Sequence, residues 1–317
     1  MEHTARDKHI DVMKGFAILL VLLGHRFMTN TIEGAQHPAA VIIYSFHMAF
    51  FFFISGYVNE KTHQLSRKGV ARYTLDKIRT LLLPFLVWTL ICFWIDGGSS
   101  LSGFVSRLNF YPNNGYWFLP VLFGFFILLP ISEMCKWGGV ICVILLIAVG
   151  LLVKQVFPIW YAGYMLTFLL GGYMADEKNE NKLTTNRVYG ISALVLVACW
   201  CVYPLESSSI GKLCNLLLMF IIGPASCITF FNIFKKMQLP KYISAYFSEI
   251  GKYTLVLYLV PILILPSKNF FVEGRLTVTA VNLVILAVAV AHSLVSYAIG
   301  RVIYEIPYLR FILFGKK

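Results

Sequence analysis

Residues 11–29 read DVMKGFAILLVLLGHRFMT, and residues 39–57 read AAVIIYSFHMAFFFFISGY. Each stretch is apolar over nearly its whole length, and about 20 apolar residues in a helix cross the roughly 30 Å hydrocarbon core of a bilayer. Each also carries a histidine, His25 or His47, well inside the apolar run. Polar side chains at such positions usually face a bundle interior or a wet cavity and are often functional. The two stretches therefore predict a pair of membrane helices with chemistry between them.

The composition extends this prediction to the whole chain. Of 317 residues, 58% are hydrophobic and 13% are charged, which is more apolar and less charged than a soluble domain. We predict an all-α, polytopic transmembrane helix bundle of about ten helices, forming a single integral membrane domain over residues 1–317. The predicted apolar segments are 11–29, 39–57, 78–95, 116–132, 140–156, 160–175, 187–203, 211–232, 251–266 and 278–304.

The charge pattern predicts the orientation of the bundle. The net charge is +12, which in a soluble protein would favour nucleic acid as a partner. Here most Lys and Arg fall in alternate loops on one side of the membrane, so the positive-inside rule places both termini in the cytoplasm. We therefore expect membrane lipid and no nucleic acid as a partner. The seven Cys show no metal-ligand spacing, and we expect no metal.

Helical spacing places the polar residues of the first two segments at defined depths. Lys14 and His25 share one helix face and are eleven residues apart, roughly 16 Å along the axis. Arg26 lies about 100° around from His25, where it either snorkels to head groups or lines an outer vestibule. His47 and Ser55 share a face of the second helix. If the two helices are adjacent, both imidazoles can line one cavity; the alternative is that each histidine merely packs.

Further candidates lie in the loops on either side. Arg72, Lys77 and Arg79 approach the start of the third segment, where they can clamp the phosphates of an anionic ligand from the cytoplasm. For the earlier basic residues of that loop, including Arg67 and Lys68, contact with anionic lipid is the simpler interpretation. On the outer side, Trp117 fits an interfacial aromatic belt, and a Trp ring can also stack on a sugar.

Five blocks of this sequence, in order, resemble the acyltransferase family 3 membrane proteins. The blocks are Arg6-x4-Asp11-x2-Lys14-Gly15-x8-Gly24-His25, then Phe46-His47-Met48 with Phe51-Phe52 and Ser55-Gly56-Tyr57, then the basic run into Leu81-x2-Pro84, then Tyr116-Trp117-Phe118-Leu119, and finally Ile250-Gly251-Lys252-Tyr253-Thr254-Leu255-x2-Tyr258-Leu259. The sequence departs from the family pattern at Lys14, where Arg is usual, and at Ala49, where Pro is usual. Lys77 and Arg79 only loosely reproduce a paired-arginine motif.

The resemblance implies transfer of an acyl group, usually acetyl, from cytoplasmic acyl-CoA to a hydroxyl of an extracytoplasmic glycan or lipid-linked sugar. It also implies the bacterial inner membrane as the location. A neutral imidazole can remove the proton of an attacking sugar hydroxyl, so we predict His25 as the general base, with an acyl-His25 intermediate as the alternative. His47 is expected to orient His25 or to stabilise the oxyanion.

The resemblance assigns supporting roles to the remaining candidates. Ser55 and the basic group Arg72, Lys77 and Arg79 are expected to hold acetyl-CoA, with Lys14 supporting the inner cavity, and Arg26 and Trp117 are expected on the acceptor side.

Two other functional classes remain open from the sequence. The first is a transporter or flippase for a small organic anion, which would enter past the basic residues Arg72, Lys77 and Arg79. The second is a structural membrane subunit in which the histidines only pack. A transporter often has an internal repeat or an acidic residue in mid-helix. This sequence shows neither, which weakens the transporter alternative.

Overall fold

The computed structural model describes residues 7–31, 34–62, 69–109, 115–153, 158–202, 209–264 and 278–316. Within these ranges every regular element is helical, which confirms the predicted all-α class. Arg6, Arg67 and Lys68 lie outside the described residues, so the interpretations given for them stay predictions.

The first half of the chain forms long helices joined by short connections. Their bounds are α1 Lys8–Asn30, α2 Pro38–Lys61, α3 Val70–Ile95, α4 Leu101–Arg107, α5 Phe118–Glu133, α6 Gly138–Leu152 and α7 Tyr161–Met174.

The second half mixes long and short helices. Their bounds are α8 Glu177–Leu183, α9 Asn186–Val202, α10 Ser209–Lys236, α11 Lys241–Lys252, α12 Thr254–Leu259, α13 Pro261–Ile264, α14 Val278–Tyr304 and α15 Pro307–Phe314.

Nine of the ten predicted apolar segments each overlap one long helix, whereas 251–266 runs from the last residues of α11 through the short helices α12 and α13. By length and composition, five helical stretches of the described chain can cross a membrane, namely α1, α2, α3, most of α10 and α14. A sixth is possible if α8 and α9, which meet at 61°, form one broken span. The sidedness of the two termini stays a prediction, so we name the two ends of the bundle by residues of α1, the Lys14 end and the Arg26 end.

Helix α1 is locked to α11, a partly polar helix that the apolar segments did not include. A Cβ on Gly15 would overlap the backbone carbonyl of Phe247, and a Cβ on Gly251 would overlap that of Asp11. The two backbones thus approach each other at glycines from both sides. This close crossing gives a physical reason for Gly15 and Gly251 in the two sequence blocks that contain them.

Helix α2 is locked to α7 in the same way. A Cβ on Gly56 would overlap the carbonyl of Phe168, and a Cβ on Gly171 would overlap that of Phe53. Small residues at such crossings let helix backbones pack closely where lipid supplies no hydrophobic driving force. Both crossings lie in the halves of α1 and α2 nearer the Lys14 end, so they fix the two helices that carry the histidines.

Helix α3 contains a wider π-helical turn at Ile78–Leu82. Pro84 follows it, and in a regular α-helix its ring would clash with the carbonyl of Thr80 and it could not donate to that carbonyl. The wider turn relieves this conflict, and such turns are frequent at functional sites.

The C-terminal helix α15 packs on α3. The indole Nε1 of Trp88 donates to the carbonyl of Leu313 at 2.8 Å. Gly315 ends α15 with a positive φ of 61°, and a side chain there would overlap the carbonyl of Arg79. This docking carries Lys316 to the side of the π-helical turn.

Candidate active site

Two cavities lie along α1, one toward each end of the bundle. The Lys14 cavity has a volume of about 230 Å³ and is lined by polar and basic side chains together with apolar ones. The polar and basic residues among them are Lys14, Ser55, Thr80, Thr254, Tyr258 and Lys316. The His25 cavity has a volume of about 220 Å³, and His25, Arg26 and Thr29 line it with residues of α12 and α13.

The two cavities share walls. Val21, one turn before His25 on α1, and Tyr258 of α12 line both of them. The Tyr258 hydroxyl donates to the carbonyl of Gly115 at 2.9 Å and accepts from the backbone N–H of Phe118 at 3.4 Å. Val21 and Tyr258 therefore form a thin partition between a basic cavity and a cavity that contains an imidazole.

His25 is exposed to its cavity and is held by a side chain of α2. Its Nδ1 lies 3.0 Å from the hydroxyl of Tyr44. Gly24 permits this approach, because a Cβ there would stand 3.2 Å from the Tyr44 ring, closer than the roughly 3.5–4.0 Å of an ordinary carbon contact. With Nδ1 engaged by Tyr44, the other ring nitrogen, Nε2, is the one available for chemistry.

His47 is buried on the other side of Tyr44. Its Nδ1 donates to the carbonyl of Ile43 at 2.8 Å, which fixes the proton on Nδ1 because a carbonyl only accepts. The Tyr44 ring stands edge-on to both imidazoles, with ring centroids 5.0 Å from His47 and 6.0 Å from His25. The two helices are adjacent, which was the condition for a shared cavity, but Tyr44 separates the two histidines and His47 lines neither of the two cavities. The direct hydrogen-bond partner of His25 is thus a residue that the sequence argument did not single out.

Arg26 lines the His25 cavity from within the bundle. Its side chain is only 3% exposed, so it lines a vestibule and does not snorkel to head groups. Within the described residues, its Nε and Nη2 atoms are buried without a hydrogen-bond partner.

Lys14 and Ser55, which lie on different helices, line the same cavity. Two further polar residues join them there, Thr80 from the π-helical turn and Lys316 from the C-terminal segment. No sequence pattern points to Lys316, because more than 200 residues separate it from the other three and only the docking of α15 brings it close.

A protein-family model described as an acyltransferase domain matches residues 7–301, a range that contains both cavities and nearly every residue that lines them. The chain belongs to acyltransferase family 3. The resemblance seen in the five sequence blocks is thereby confirmed.

Two curated relatives of this family 3 chain are nodulation proteins. NolL of Sinorhizobium fredii (strain NBRC 101917 / NGR234) is 28% identical over 217 residues, covering 62% of this chain and 56% of the relative. NolL of Mesorhizobium japonicum (strain LMG 29417 / CECT 9101 / MAFF 303099) is 28% identical over 185 residues, covering 52% and 49%. The chain thus spans about half the length of these relatives. No solved structure matches it significantly.

The basic group predicted to clamp phosphates is dispersed in this family 3 structure. Arg72 is exposed on the first turns of α3. The Lys77 ammonium is buried over the Phe126 ring, 3.6 Å from its centroid, and Arg79 lies 3.3 Å from a carboxylate oxygen of Asp76. Among the described lining residues of the Lys14 cavity, none of these three occurs, and Lys14 and Lys316 supply the positive charge there.

Trp117 belongs to an aromatic stack. Its ring lies parallel to that of Tyr161, with centroids 5.4 Å apart and 6° between the planes, and it also stacks on Tyr164. One face of the indole is therefore covered by protein. In the described part of the chain, Trp117 lines neither cavity, and its contact with a sugar stays a prediction.

Proposed function

We propose that this family 3 acyltransferase moves an acyl group, in the first instance acetyl, from cytoplasmic acetyl-CoA to a hydroxyl of an extracytoplasmic glycan or lipid-linked sugar. The observation that supports it is the pair of cavities that meet at Val21 and Tyr258. One offers two lysines and four hydroxyl groups, and the other offers an imidazole. In this proposal the Lys14 end faces the cytoplasm of a bacterium and the bundle lies in its inner membrane.

The residues of the Lys14 cavity fit the donor. The phosphates and the nucleotide of acetyl-CoA are polyanionic, and Lys14 and Lys316 can neutralise charge at that end. The pantetheine arm is largely uncharged, and its amides suit a cavity in which the hydroxyls of Ser55, Thr80 and Thr254 interrupt apolar walls. The thioester is then placed toward Val21 and Tyr258. Arg72 and Arg79 are proposed to meet the donor only at the surface, before it enters.

The residues of the His25 cavity fit the acceptor and the proton transfer. The acceptor oxygen attacks the thioester carbon while Nε2 of His25 takes the hydroxyl proton. The C–S bond then breaks, and the proton on His25 passes to the departing thiolate to give CoA thiol. Nε2 can act as the base when Nδ1 carries the ring proton and donates it to the Tyr44 oxygen.

His47 is proposed to act through Tyr44. Because Nδ1 of His47 is bonded to its own helix, this histidine holds the Tyr44 ring in place from below. Tyr44 in turn orients His25.

The test is transfer of radiolabel from acetyl-CoA in membranes that contain the protein. Label on glycan or lipid is expected for the native chain and is lost in His25→Ala, with the amount of inserted protein unchanged. Arg107→Gln, at an exposed residue paired with Asp96 at 2.6 Å, is the control and keeps activity. Retained transfer in His25→Ala would remove His25 from the mechanism, and anion flux without transfer would favour the transporter.

A second measurement separates the two roles of His25. Incubation with acetyl-CoA and no acceptor, followed by mass spectrometry of the His25 peptide, is expected to find no acetyl group. An acetylated His25 that reacts with added acceptor would replace direct attack by a two-step transfer.

A further inference from the structure

Arg26 is a cation buried in the bundle beside the His25 cavity. Its side chain is 97% removed from solvent, and two of its three guanidinium nitrogens find no partner among the described residues. It nonetheless lines the His25 cavity. A guanidinium in a membrane interior is costly unless it is paired and its N–H groups are bonded.

The two polar side chains that follow Arg26 on α1, Thr29 and Asn30, donate to the backbone. The hydroxyl of Thr29 donates to the carbonyl of His25 at 2.8 Å, and the amide of Asn30 donates to the carbonyl of Arg26 at 3.1 Å. Both of these hydrogen bonds are made to backbone carbonyls of α1 and not to the guanidinium. Asp96, a carboxylate of the loop that follows α3, is paired with Arg107.

The order of residues along α1 indicates which substrate would meet Arg26. Lys14 comes first, Val21 lies at the partition, and His25 and Arg26 follow beyond it. A donor that enters from the Lys14 end reaches the partition before it reaches Arg26. A ligand of Arg26 is therefore a part of the molecule that enters from the opposite end, which is the acceptor.

We propose that Arg26 binds an anionic group of the acceptor, a carboxylate or a phosphate, and so selects acceptors that carry this charge close to the hydroxyl to be acylated. The inference rests on the proposed function for the identity of the acceptor, but the binding itself does not require turnover. Arginine suits the role because its planar fork bonds carboxylates and phosphates with two parallel N–H groups.

The primary test measures binding, so it is independent of acyl transfer. Purified protein in amphipol is titrated with three single-chain probes of equal chain length, dodecyl glucoside, dodecyl glucuronide and dodecyl phosphate. At least one anionic probe is expected to bind about 10- to 100-fold more tightly than the neutral glucoside, the range for a hydrogen bond to a buried charged group. The glucuronide and the phosphate distinguish a carboxylate on the sugar from a phosphate next to the lipid.

Three variants assign the preference to Arg26. Arg26→Gln is expected to remove the advantage of the anionic probe while leaving glucoside binding unchanged, and Arg26→Lys is expected to keep part of it. Arg107→Gln removes one positive charge from the same end of the bundle outside the cavity, and it is expected to keep the full advantage.

Two results would overturn the proposal. One is equal binding of all three probes to the native protein. The other is tighter binding of the anionic probe in Glu33→Gln, a residue outside the described ranges, because this would make Glu33 the native partner of Arg26.

Kinetics separate this proposal from the proposed function. If acetyl transfer occurs, Arg26→Gln should raise KM for an anionic acceptor with little change in kcat. An equal loss of kcat with neutral and anionic acceptors would instead assign Arg26 to the reacting centre. If no acceptor is acetylated but the anionic probe still binds through Arg26, the proposed function fails and the anion site stands.

Discussion

Removal of the Tyr44 hydroxyl is the most direct test of how His25 is held. Tyr44→Phe keeps the ring that packs edge-on against both imidazoles and deletes only the oxygen that lies 3.0 Å from Nδ1 of His25. The perturbation is therefore confined to one hydrogen bond, and we expect the protein to fold and insert normally.

The size of the effect follows from when that bond is strongest. As Nε2 takes the acceptor proton the ring becomes cationic, so the Nδ1–H donor becomes charged, and a charge-assisted bond is roughly twice as strong as a neutral one. The net value of the bond is about 1–1.5 kcal/mol, which corresponds to a roughly 5- to 12-fold lower kcat since 1.4 kcal/mol is tenfold. KM for acetyl-CoA should stay unchanged, because the interaction is gained in the transition state.

The assay is steady-state acetyl transfer, together with ¹⁵N NMR of labelled histidine. In the native protein the neutral His25 ring should carry its proton on Nδ1, and in Tyr44→Phe the two tautomers should mix. Tyr57→Phe is the matched control, because on the same helix its hydroxyl donates at 2.9 Å to Glu180, which lies in α8. Native kcat with an unchanged tautomer in Tyr44→Phe would refute the positioning role.

Three further predictions concern the cavities and the helix crossings. Lys316→Ala should raise KM for acetyl-CoA roughly tenfold at unchanged kcat, because one charge-assisted contact is lost. Lys241 is an exposed lysine, so Lys241→Ala should leave KM unchanged. Equal effects of the two substitutions would exclude a specific contact at Lys316. Gly171→Ala should destabilise the bundle by about 1–3 kcal/mol in thermal unfolding, because the methyl group would overlap the Phe53 carbonyl. Gly172 has open space around it, so Gly172→Ala should leave the stability unchanged. Tyr258→Ala should open the partition and speed hydrolysis of acetyl-CoA in the absence of acceptor; an unchanged hydrolysis rate would argue against a barrier at this point.

The sequence predicted the helices well because a membrane makes the signal simple. An apolar run of about 20 residues has few alternatives to a helix in lipid, and nine of the ten segments each overlap one long helix. The amphipathic helix α11 was missed because its apolar residues are interrupted by polar ones, as in KYISAYFSEIGK. Only its crossing with α1 shows that it belongs to the core.

The candidate site was predictable to the extent that it lies on single helices. Spacing along α1 and α2 placed Lys14, His25 and Ser55 on faces that can line a cavity, and each of the three lines one of the two cavities; their roles stay predictions. The contact of Tyr44 with His25 was not predicted, because no sequence pattern distinguishes one aromatic residue within an apolar run. The direction of the Lys77 side chain could not be predicted from local sequence, because the ammonium points inward over the ring of Phe126, a residue of another helix.

The two glycine crossings have a consequence for how material passes through the protein. A carrier exposes its cargo alternately to each side by rocking one group of helices against another, and this requires interfaces that can slide. Here the helices bearing the imidazoles are pinned backbone to backbone at the same end, where sliding would drive carbonyl oxygens into neighbouring Cα atoms. The scaffold is thus suited to the proposed function, in which the helices stay still and only a small acyl group passes from one compartment to the other.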